Sequence, residues 1–252
     1  MKKLENRTAI ITGAGSGIGQ AIAELFFKEG ATVVLLDKEL STIQQMSERY
    51  IASGEHALAI ACDVSKELDV IDAVSSAKRH FGGVDILVNN AGVMDDFIPA
   101  VELDTSRWNH VISTNLNGPF YSTREVLKIM LPEKRGAILN ISSIGGLSGG
   151  KAGAAYTASK HGLIGLTKNT AIMHATEGIR CNAIAPGGVE TSIGLTLKPN
   201  QTGYTKIAPG FNLMPRTGKP DEIAQLALFL VSDDASFING AIVTADAGWS
   251  AF

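Results

Sequence analysis

Tyr156 and Lys160 are the two residues of this chain whose types and spacing point most directly to chemistry. They stand four positions apart in a segment with helical periodicity, so both side chains lie on one face of the predicted helix. A phenol has an ordinary pKa of ~10 and is a poor base at neutral pH. A neighbouring ammonium favours the phenolate and lowers that pKa. The pair is therefore predicted to exchange a proton with a hydroxyl group.

Polar side chains also close two apolar runs that are predicted to be strands. Ser142 and Ser143 end one run, Asn89 and Asn90 end another, and Asn115 lies in a helical segment between them. Because the carboxyl ends of parallel strands meet at one edge of a sheet, we expect these groups to lie together. The Y-x-x-x-K pattern alone is common, but several polar groups at one edge favour a functional site over simple capping.

A glycine-rich run, TGAGSGIG at residues 12–19, joins the first predicted strand to the first predicted helix. Its glycines allow the backbone to approach a pyrophosphate, and the start of the helix points unpaired N–H groups at the phosphates. Asp37 ends the second predicted strand. A carboxylate there accepts hydrogen bonds from the adenosine ribose and repels a 2′-phosphate. Because Ser16 and Asp37 carry no positive charge and Lys38 is the only adjacent cation, NAD is predicted rather than NADP.

Short, almost continuously apolar runs alternate with longer segments of helical period along the chain. The runs predict strands at residues 8–12, 31–37, 56–63, 84–90, 136–142, 179–186 and 241–247. Helices are predicted near residues 18–29, 41–53, 67–81, 103–131 and 154–176. This alternation predicts an α/β fold, a doubly wound parallel sheet (Rossmann fold) of about seven strands with helices on both faces. Residues 1–252 are interpreted as a single domain, because no linker-like tract divides them.

Residues 192–218 interrupt this pattern with four Gly, three Pro and mixed polarity. A long irregular segment after the carboxyl end of a strand is often a substrate lid, and a plain surface insertion is the alternative. Val93, Met94 and Phe97 could line the same pocket, or several of these residues could simply pack helices. The apolar residues of the proposed lid are Ile193, Leu195, Leu197, Tyr204, Ile207, Phe211, Leu213 and Met214.

The composition excludes several classes of protein. Lys+Arg 22 against Asp+Glu 25 gives a formal net charge of −3, which argues against a nucleic-acid or anionic-membrane partner. An uninterrupted apolar run of ~18 residues and a leader-like apolar region are both lacking, so a cytoplasmic location is expected. Cys62 and Cys181 lie in apolar runs and are interpreted as buried thiols. The His residues show no ligand spacing, and no metal is predicted.

Together and in this order, the motifs resemble those of the short-chain dehydrogenase/reductase family over essentially residues 6–250. The family's T-G-x-x-x-G-x-G turn matches residues 12–19, its N-N-A-G matches residues 89–92 and its P-G-x-x-x-T matches residues 186–191. Its adenine-side Asp matches Asp63, which precedes Val64. The family's spacing between the catalytic Ser and Tyr selects Ser143 over Ser142. The catalytic tetrad of the family then matches Asn115, Ser143, Tyr156 and Lys160.

The resemblance implies oxidoreduction between a secondary alcohol and a ketone, a small-molecule substrate, with NAD as cofactor and without a metal. It implies that Tyr156 exchanges the proton, Ser143 binds the substrate oxygen, and Lys160 binds the nicotinamide ribose and lowers the pKa of Tyr156. Asn115 would hold a water that links Lys160 to solvent. The residues expected to bind the cofactor are Gly13, Ser16, Gly17, Ile18, Gly19, Asp37, Asp63, Val64, Asn90, Ala91, Gly92, Tyr156, Lys160, Pro186, Gly187, Val189 and Thr191.

Two other functions remain open at this point. Many members of the family are NADPH-dependent reductases of 3-oxoacyl groups on acyl carrier protein, which usually place Arg in the glycine turn and a cation after the second strand. Ser16 and Asp37 occupy those positions here. A dinucleotide-binding sensor without catalysis is the other alternative, but such proteins typically lose the Tyr or the Lys, whereas this chain keeps both.

The predicted helix at residues 154–176 carries apolar residues on more than one stripe, and a single stripe suffices to pack on the sheet. Trp249 and Phe252 place two aromatic residues, which are enriched at interface anchors, near the C-terminus. Members of the family commonly form tetramers through the matching helix and terminal strand. A homotetramer is therefore predicted, with interfaces at this helix and the last ten residues. Burial of the helix within one chain, under the 103–131 helix, is the alternative.

Overall fold

Seven parallel strands form one sheet in the residues that the computed structural model describes, namely 2–192, 194 and 197–251. The sheet order is β3-β2-β1-β4-β5-β6-β7, which confirms the predicted doubly wound Rossmann fold. The order reverses between β1 and β4, which is where such sheets open a crevice for ligands. The strands are β1 (Thr8–Thr12), β2 (Thr32–Asp37), β3 (Ala57–Ala61), β4 (Ile86–Asn89), β5 (Gly136–Ile141), β6 (Ile179–Pro186) and β7 (Ile242–Ala245).

Helices cover both faces of the sheet and create two separate apolar cores. Phe26 of the first helix and Leu228 of the last belong to one core, and Val74 and Met130 belong to the other. Central strands are buried on both faces, which explains their continuous apolar runs. The α-helices described are α1 (Gly17–Lys28), α2 (Leu40–Ala52), α3 (Glu67–Phe81), α4 (Thr105–Ile112), α5 (Gly118–Glu133), α6 (Ala154–Met173), α7 (Gln201–Phe211) and α8 (Pro220–Val231).

The segment predicted as one helix at residues 103–131 contains a π-helical turn, Ser113–Asn117, between α4 and α5. A π-turn inserts an extra residue into the helix and often occurs at functional sites. Here it carries Asn115, whose side chain is fully buried. A π-helical turn keeps the chain helical, which is why the sequence predicts a single helix across it.

Two further differences from the sequence prediction concern the C-terminal third. Residues 192–218 are not wholly irregular, because α7 begins after Asn200, whose side chain accepts a hydrogen bond from the Gly203 N–H at 2.8 Å. The sequence does not predict this helix because it contains three residues of low helix propensity, Gly203, Pro209 and Gly210. The prediction also omits α8, although Pro220 at its first position and two acidic residues in its first turn are typical start signals.

A buried chain of polar side chains joins β4, β5 and α6 beneath the carboxyl edge of the sheet. The Asn89 amide donates to Asn140 Oδ1 at 2.8 Å, and the Asn140 amide donates to Thr167 Oγ1 at 2.8 Å. Because buried amides without partners are costly, this satisfied network fixes the spacing of the three elements. Within the described part of the chain, no helix is long and apolar enough to cross a membrane.

Candidate active site

A cleft of about 720 Å³ opens at the carboxyl ends of strands β1 to β6. The structure brings nearly all of the predicted site residues to the wall of this one cleft. The exceptions are Gly19 and Asn115, which lie just behind the wall. Residues from all parts of the chain therefore meet where the strand order reverses, between β1 and β4. Open α/β sheets bind their ligands at this position.

The glycine-rich turn is packed tightly against the end of β4. Gly13 has a φ of +64°, and a Cβ added there would lie 2.9 Å from Ala91 Cα. A Cβ at Gly19 would lie 2.1 Å from the Gly13 carbonyl oxygen, which explains why Gly19 supports the turn without lining the cleft. The Asn90 amide donates to the carbonyl oxygens of Thr12 and Gly13 at 3.0 and 3.1 Å. These contacts hold the turn in a shape that only glycine permits.

The start of α1 faces the cleft and fits a phosphate group. Its N-cap residue, Ser16, makes no side-chain cap hydrogen bond within the described residues, and its Oγ lies 3.0 Å from Ser192 Oγ. The N–H groups of the first helical turn are therefore free of a side-chain acceptor, and they and the helix dipole favour an anion. Thr191 closes this end, because a Cβ at Gly17 would lie 3.1 Å from its Cγ2.

Two carboxylates mark the end of the cleft formed by β2 and β3. Asp37 accepts hydrogen bonds from the Gly15 N–H at 2.8 Å and the Glu39 N–H at 3.0 Å, which hold its carboxylate beside the turn. Asp63 accepts from the Ser65 N–H at 3.1 Å and hydroxyl at 2.6 Å. Burial acts to raise the pKa of Asp63, but the Ser65 hydrogen bonds and nearby lysine charges hold it below its ordinary value.

Lys160 lies at the opposite end of the cleft, where its ammonium is buried. Its Nζ donates to the Ile141 carbonyl oxygen at 2.8 Å and lies 5.6 Å from the centre of the Tyr156 ring. Burial lowers the pKa of Lys160 to about 8. A Cβ added at Gly92 would lie 3.7 Å from this Nζ, so the end of β4 also reaches the pair.

The pKa of Tyr156 is raised in this structure, and Lys160 is not among the causes of that shift, so the expected lowering by Lys160 stays a prediction. Burial is the largest cause, a hydrogen bond with the Ser143 side chain opposes it, and the charge of Asp95 adds to it. The Lys160 ammonium is held on Ile141 rather than on the phenol oxygen, while desolvation disfavours the phenolate.

Ser143 and Ser142 have different surroundings although they are adjacent. The Ser142 hydroxyl is buried and donates to the Lys160 carbonyl oxygen at 3.2 Å, which ties β5 to α6. Ser143 Oγ accepts from the Gly145 N–H at 3.0 Å and hydrogen-bonds with Tyr156. Ser143 is therefore the serine that lies beside the phenol.

The side-chain amide of Asn115 hydrogen-bonds with other groups of the protein. Its Oδ1 accepts from the Val93 N–H at 2.8 Å, and its Nδ2 donates to the Val93 carbonyl oxygen at 2.9 Å and to Ser159 Oγ at 3.2 Å. Its side chain therefore fastens the segment after β4 to α6. The water that Asn115 is expected to hold stays a prediction. Among the described residues, no group of three or more His, Cys, Asp or Glu is placed to hold a metal ion.

Comparison with known proteins identifies the family. A family model described as enoyl-(acyl carrier protein) reductase matches residues 13–250. The chain is 41% identical to 3beta-hydroxysteroid dehydrogenase 2 of Eggerthella lenta, covering 99% of this chain and 96% of that protein. It is 37% identical to cyclohexanol dehydrogenase of an Acinetobacter species, covering 98% and 96%. The crystal structure of levodione reductase superposes with a TM-score of 0.89 at 35% identity, covering 98% and 99%.

The chain belongs to the short-chain dehydrogenase/reductase family. It is therefore an oxidoreductase of a family that uses nicotinamide cofactors. The cleft fits such a dinucleotide, because it has the glycine turn and the open helix start at one end and the Tyr156, Ser143 and Lys160 group at the other.

Aromatic side chains form the remaining wall of the cleft in this family member. Phe97, Phe211 and Trp249 all line it, and the Phe211 ring lies 5.8 Å from Phe97 and 5.4 Å from Trp249. Tyr204 does not line the cleft but stacks on Phe211 from behind at 6.0 Å. The result is a wide apolar surface next to the phenol. Val93, Met94 and Leu197 also line the cleft, whereas Ile193 and Leu195 lie outside the described residues.

Trp249, one of the two predicted anchors, is packed within its own chain. It is only 3% exposed, and its Nε1 donates to the Gly210 carbonyl oxygen at 2.7 Å. Its ring therefore seals the cleft against α7 of its own chain instead of serving as an exposed anchor. Lys151 lies over the ring, with Nζ 3.9 Å from the ring centre. Phe252, the second predicted anchor, lies outside the described residues.

Asp95, Lys151 and Arg107 were missed by the sequence analysis. Asp95 is fully buried and contacts the start of α6, and Arg107 pairs with Asp96 at 2.7 Å. The only sequence feature that points to Asp95 is the pair of consecutive acidic residues after the N-N-A-G motif. Such a pair does not show which carboxylate is buried and which is exposed.

Proposed function

We propose that this protein is an NAD-dependent dehydrogenase/reductase that interconverts an apolar secondary alcohol and its ketone. The observation that carries the proposal is the arrangement of one cleft: Asp37 beside the glycine turn at one end, and Tyr156 with Ser143 beside an aromatic wall at the other. The first end suits the adenosine ribose of NAD. The second suits a hydroxyl or carbonyl group attached to an apolar body.

Each polar residue at the catalytic end has a role that its position supports. Tyr156 takes the proton from the alcohol oxygen during oxidation and returns it during reduction. Ser143, hydrogen-bonded with Tyr156, holds the substrate oxygen beside the phenol. Lys160, buried on the same helix face, binds the ribose hydroxyls and places positive charge near a developing phenolate. Bound nicotinamide supplies the hydride chemistry. The aromatic wall excludes water from the reacting oxygen.

The cofactor preference is the first test. NAD(H) is expected to be preferred over NADP(H) by at least about tenfold in kcat/KM, or about 1.4 kcal/mol, because the Asp37 carboxylate repels a 2′-phosphate. Asp37→Ser should reduce that preference. Glu39→Gln is the matched control, since it removes a carboxylate that lines the same end and leaves Asp37 in place. Equal or better kinetics of the unmodified protein with NADP(H) would refute the proposal of NAD dependence.

The substrate class is tested in the same assay with a panel of alcohols: cyclohexanol, a hydroxysteroid, a polyol and a 2-hydroxy acid. The apolar wall of Phe97, Phe211 and Trp249 supports the cyclic alcohols, and the names of the two relatives are consistent with this choice. We expect the highest kcat/KM for one of the two cyclic alcohols. If the polyol or the hydroxy acid is oxidised best, or only a 3-oxoacyl thioester with NADPH turns over, the proposed substrate class is wrong.

We further propose a homotetramer whose interface includes α6. Ala158, Gly165 and Ile172 lie one below the other on the exposed face of this helix, and Ile172 is 74% exposed. An exposed stripe of small and apolar residues allows two helices to approach closely. Leu163 and Ile164 are buried within the chain and supply its packing on the sheet.

Light scattering at micromolar concentration is expected to report about four times 26.5 kDa, or ~106 kDa. Ile172→Lys should lower that mass, because it places a charge in the buried contact. Leu68→Lys on α3 is the matched control, since Leu68 is equally exposed at 74% and lies outside the proposed interface. A monomer mass for the unmodified protein would exclude the interface, and a stable dimer would leave only one of the two predicted surfaces, α6 or the last ten residues.

A further inference from the structure

Asp95 is a buried carboxylate in the turn of residues 95–98 that follows β4, and its side chain is bound to the start of the catalytic helix. Its Oδ2 accepts from the Tyr156 N–H at 2.9 Å, and its Oδ1 accepts from the Gly153 N–H at 3.1 Å. The Phe97 N–H donates to the same Oδ1 at 3.3 Å. The backbone of Tyr156 is thus held directly by this carboxylate.

The same turn provides the acceptors that α6 needs at its N-terminus. Gly153 is the N-cap residue and has no side chain to cap with, and the Ile98 carbonyl oxygen accepts from the Ala154 N–H at 3.0 Å. A negative charge at a helix start is stabilised by the unpaired N–H groups and by the helix dipole. Asp95, from a distant part of the chain, therefore accepts the hydrogen bonds that an N-cap side chain of α6 would otherwise accept.

The turn is fixed from its other side by the proposed lid and by α4. Asp96 and Phe97 have φ values of +54° and +61°, and Arg107 pairs with the Asp96 carboxylate at 2.7 Å. The Asp96 carbonyl oxygen accepts from the Asn200 N–H at 2.8 Å. Helix α7 lies directly on the turn, because a Cβ added at Gly203 would be 1.8 Å from the Phe97 carbonyl oxygen. The turn that carries Asp95 is therefore tied to α4 and to the start of α7 as well as to α6.

We propose that Asp95 is a positioning residue that sets where the Tyr156 phenol stands in the cleft and how readily that phenol gives up its proton. This inference rests on the proposed function of Tyr156. The positioning follows from the hydrogen bond to the Tyr156 backbone, since small displacements of a catalytic group are costly in rate. The electrostatic part follows from the Asp95 charge, which opposes formation of a phenolate nearby and raises the pKa of Tyr156.

Other ionisable groups line the same cleft as the phenol. Lys160 lies on the same helix, Lys151 lies in the loop before it, and His110 lines the cleft from α4. Lys160 favours the phenolate, so it acts against Asp95. Burial raises the pKa of Asp95 itself, while its backbone hydrogen bonds act in the opposite direction.

The test is Asp95→Asn in the full chain, which keeps the shape of the side chain but removes the charge and one acceptor. With NAD and a good alcohol substrate, we expect kcat to fall about tenfold or more while the Kd for NAD changes by less than about threefold. Oxidation needs the phenolate, which forms more readily without the Asp95 charge. The acid limb of the pH profile should therefore move to lower pH by about one unit.

Asp104→Asn is the matched control. Asp104 caps α4 by accepting from the Arg107 N–H at 2.8 Å, and its loss should leave kcat and the pH profile of the enzyme unchanged. If Asp95→Asn lowers the melting temperature but keeps the wild-type kcat and acid limb, Asp95 is a structural cap and the proposal is overturned.

If that variant does not fold, Gly153→Ala tests positioning instead, because its Cβ would lie 2.5 Å from Asp95 Oδ1. Wild-type kcat in Gly153→Ala would then overturn the proposal.

Failure of the proposed function gives a different result. In that case the unmodified protein oxidises no alcohol of the panel with NAD. The Tyr156 phenol is then titrated by ultraviolet absorbance in the unmodified protein and in Asp95→Asn. In each case the absorbance of the same protein carrying Tyr156→Phe is subtracted, so that only the signal of Tyr156 remains. A lower titration midpoint in Asp95→Asn supports the effect of Asp95 on the phenol, and an unchanged midpoint overturns it.

Discussion

Tyr156→Phe is expected to lower kcat for alcohol oxidation by on the order of 10² or more, the low end of acid–base contributions. The change removes only the hydroxyl group, so α6 should remain folded and the ring should keep its place. What is lost is the hydroxyl that we propose receives the substrate proton and that hydrogen-bonds with Ser143. Steady-state kinetics with saturating NAD, together with the Kd for NAD from calorimetry, measures the effect. We expect the Kd to change by less than about threefold.

Tyr204→Phe is the matched control for this variant. Tyr204 lies on α7 behind the aromatic wall and does not line the cleft, so loss of its hydroxyl should leave kcat within about twofold of wild type. Near-normal kcat in Tyr156→Phe, with NAD binding intact, would show that another group handles the proton. An equal loss in both variants would point to damage of the pocket rather than to loss of an acid/base.

Lys160→Ala is expected to reduce kcat/KM by about 10² or more and to weaken NAD binding by about tenfold. The ammonium is buried and donates to the Ile141 carbonyl oxygen, so its removal leaves that acceptor without its partner and removes the positive charge near Tyr156. Loss of the charge raises the free energy of a phenolate at this position, and loss of the hydrogen bond leaves a buried acceptor unsatisfied, which lowers the stability of the fold. The kinetic effect is measured by turnover, and the binding effect by titration with NAD.

Two further variants separate the causes of the Lys160 effect. Lys160→Met keeps most of the side-chain volume without the charge and should lose activity to a similar extent. Lys168→Ala removes an exposed lysine from the same helix and should behave as wild type. Unchanged NAD affinity in Lys160→Ala would contradict the proposed contact with the ribose, and full activity in Lys160→Met would show that the charge is not required.

The fold and the position of the cleft were predictable because their signals are local. Each strand that is buried on both faces is a continuous apolar run, and each run is followed by a segment of helical period. The glycines of residues 12–19 and the i, i+4 spacing of Tyr156 and Lys160 are likewise visible without any tertiary contact. The sequence alone therefore determined the parallel sheet and the edge at which the polar groups collect.

Only the tertiary structure decided the properties that depend on residues far apart in the chain. The pKa of Tyr156 is raised by burial and by the charge of Asp95, and neither cause is encoded in the spacing of two residues. Asp95 reaches Tyr156 across 61 positions, and Trp249 seals the cleft because Gly210 offers it a carbonyl oxygen. Desolvation and packing are sums over all neighbours in space. For this protein, the identity of the side chains that we propose to be catalytic was thus determined by the sequence, and their electrostatic environment by the fold.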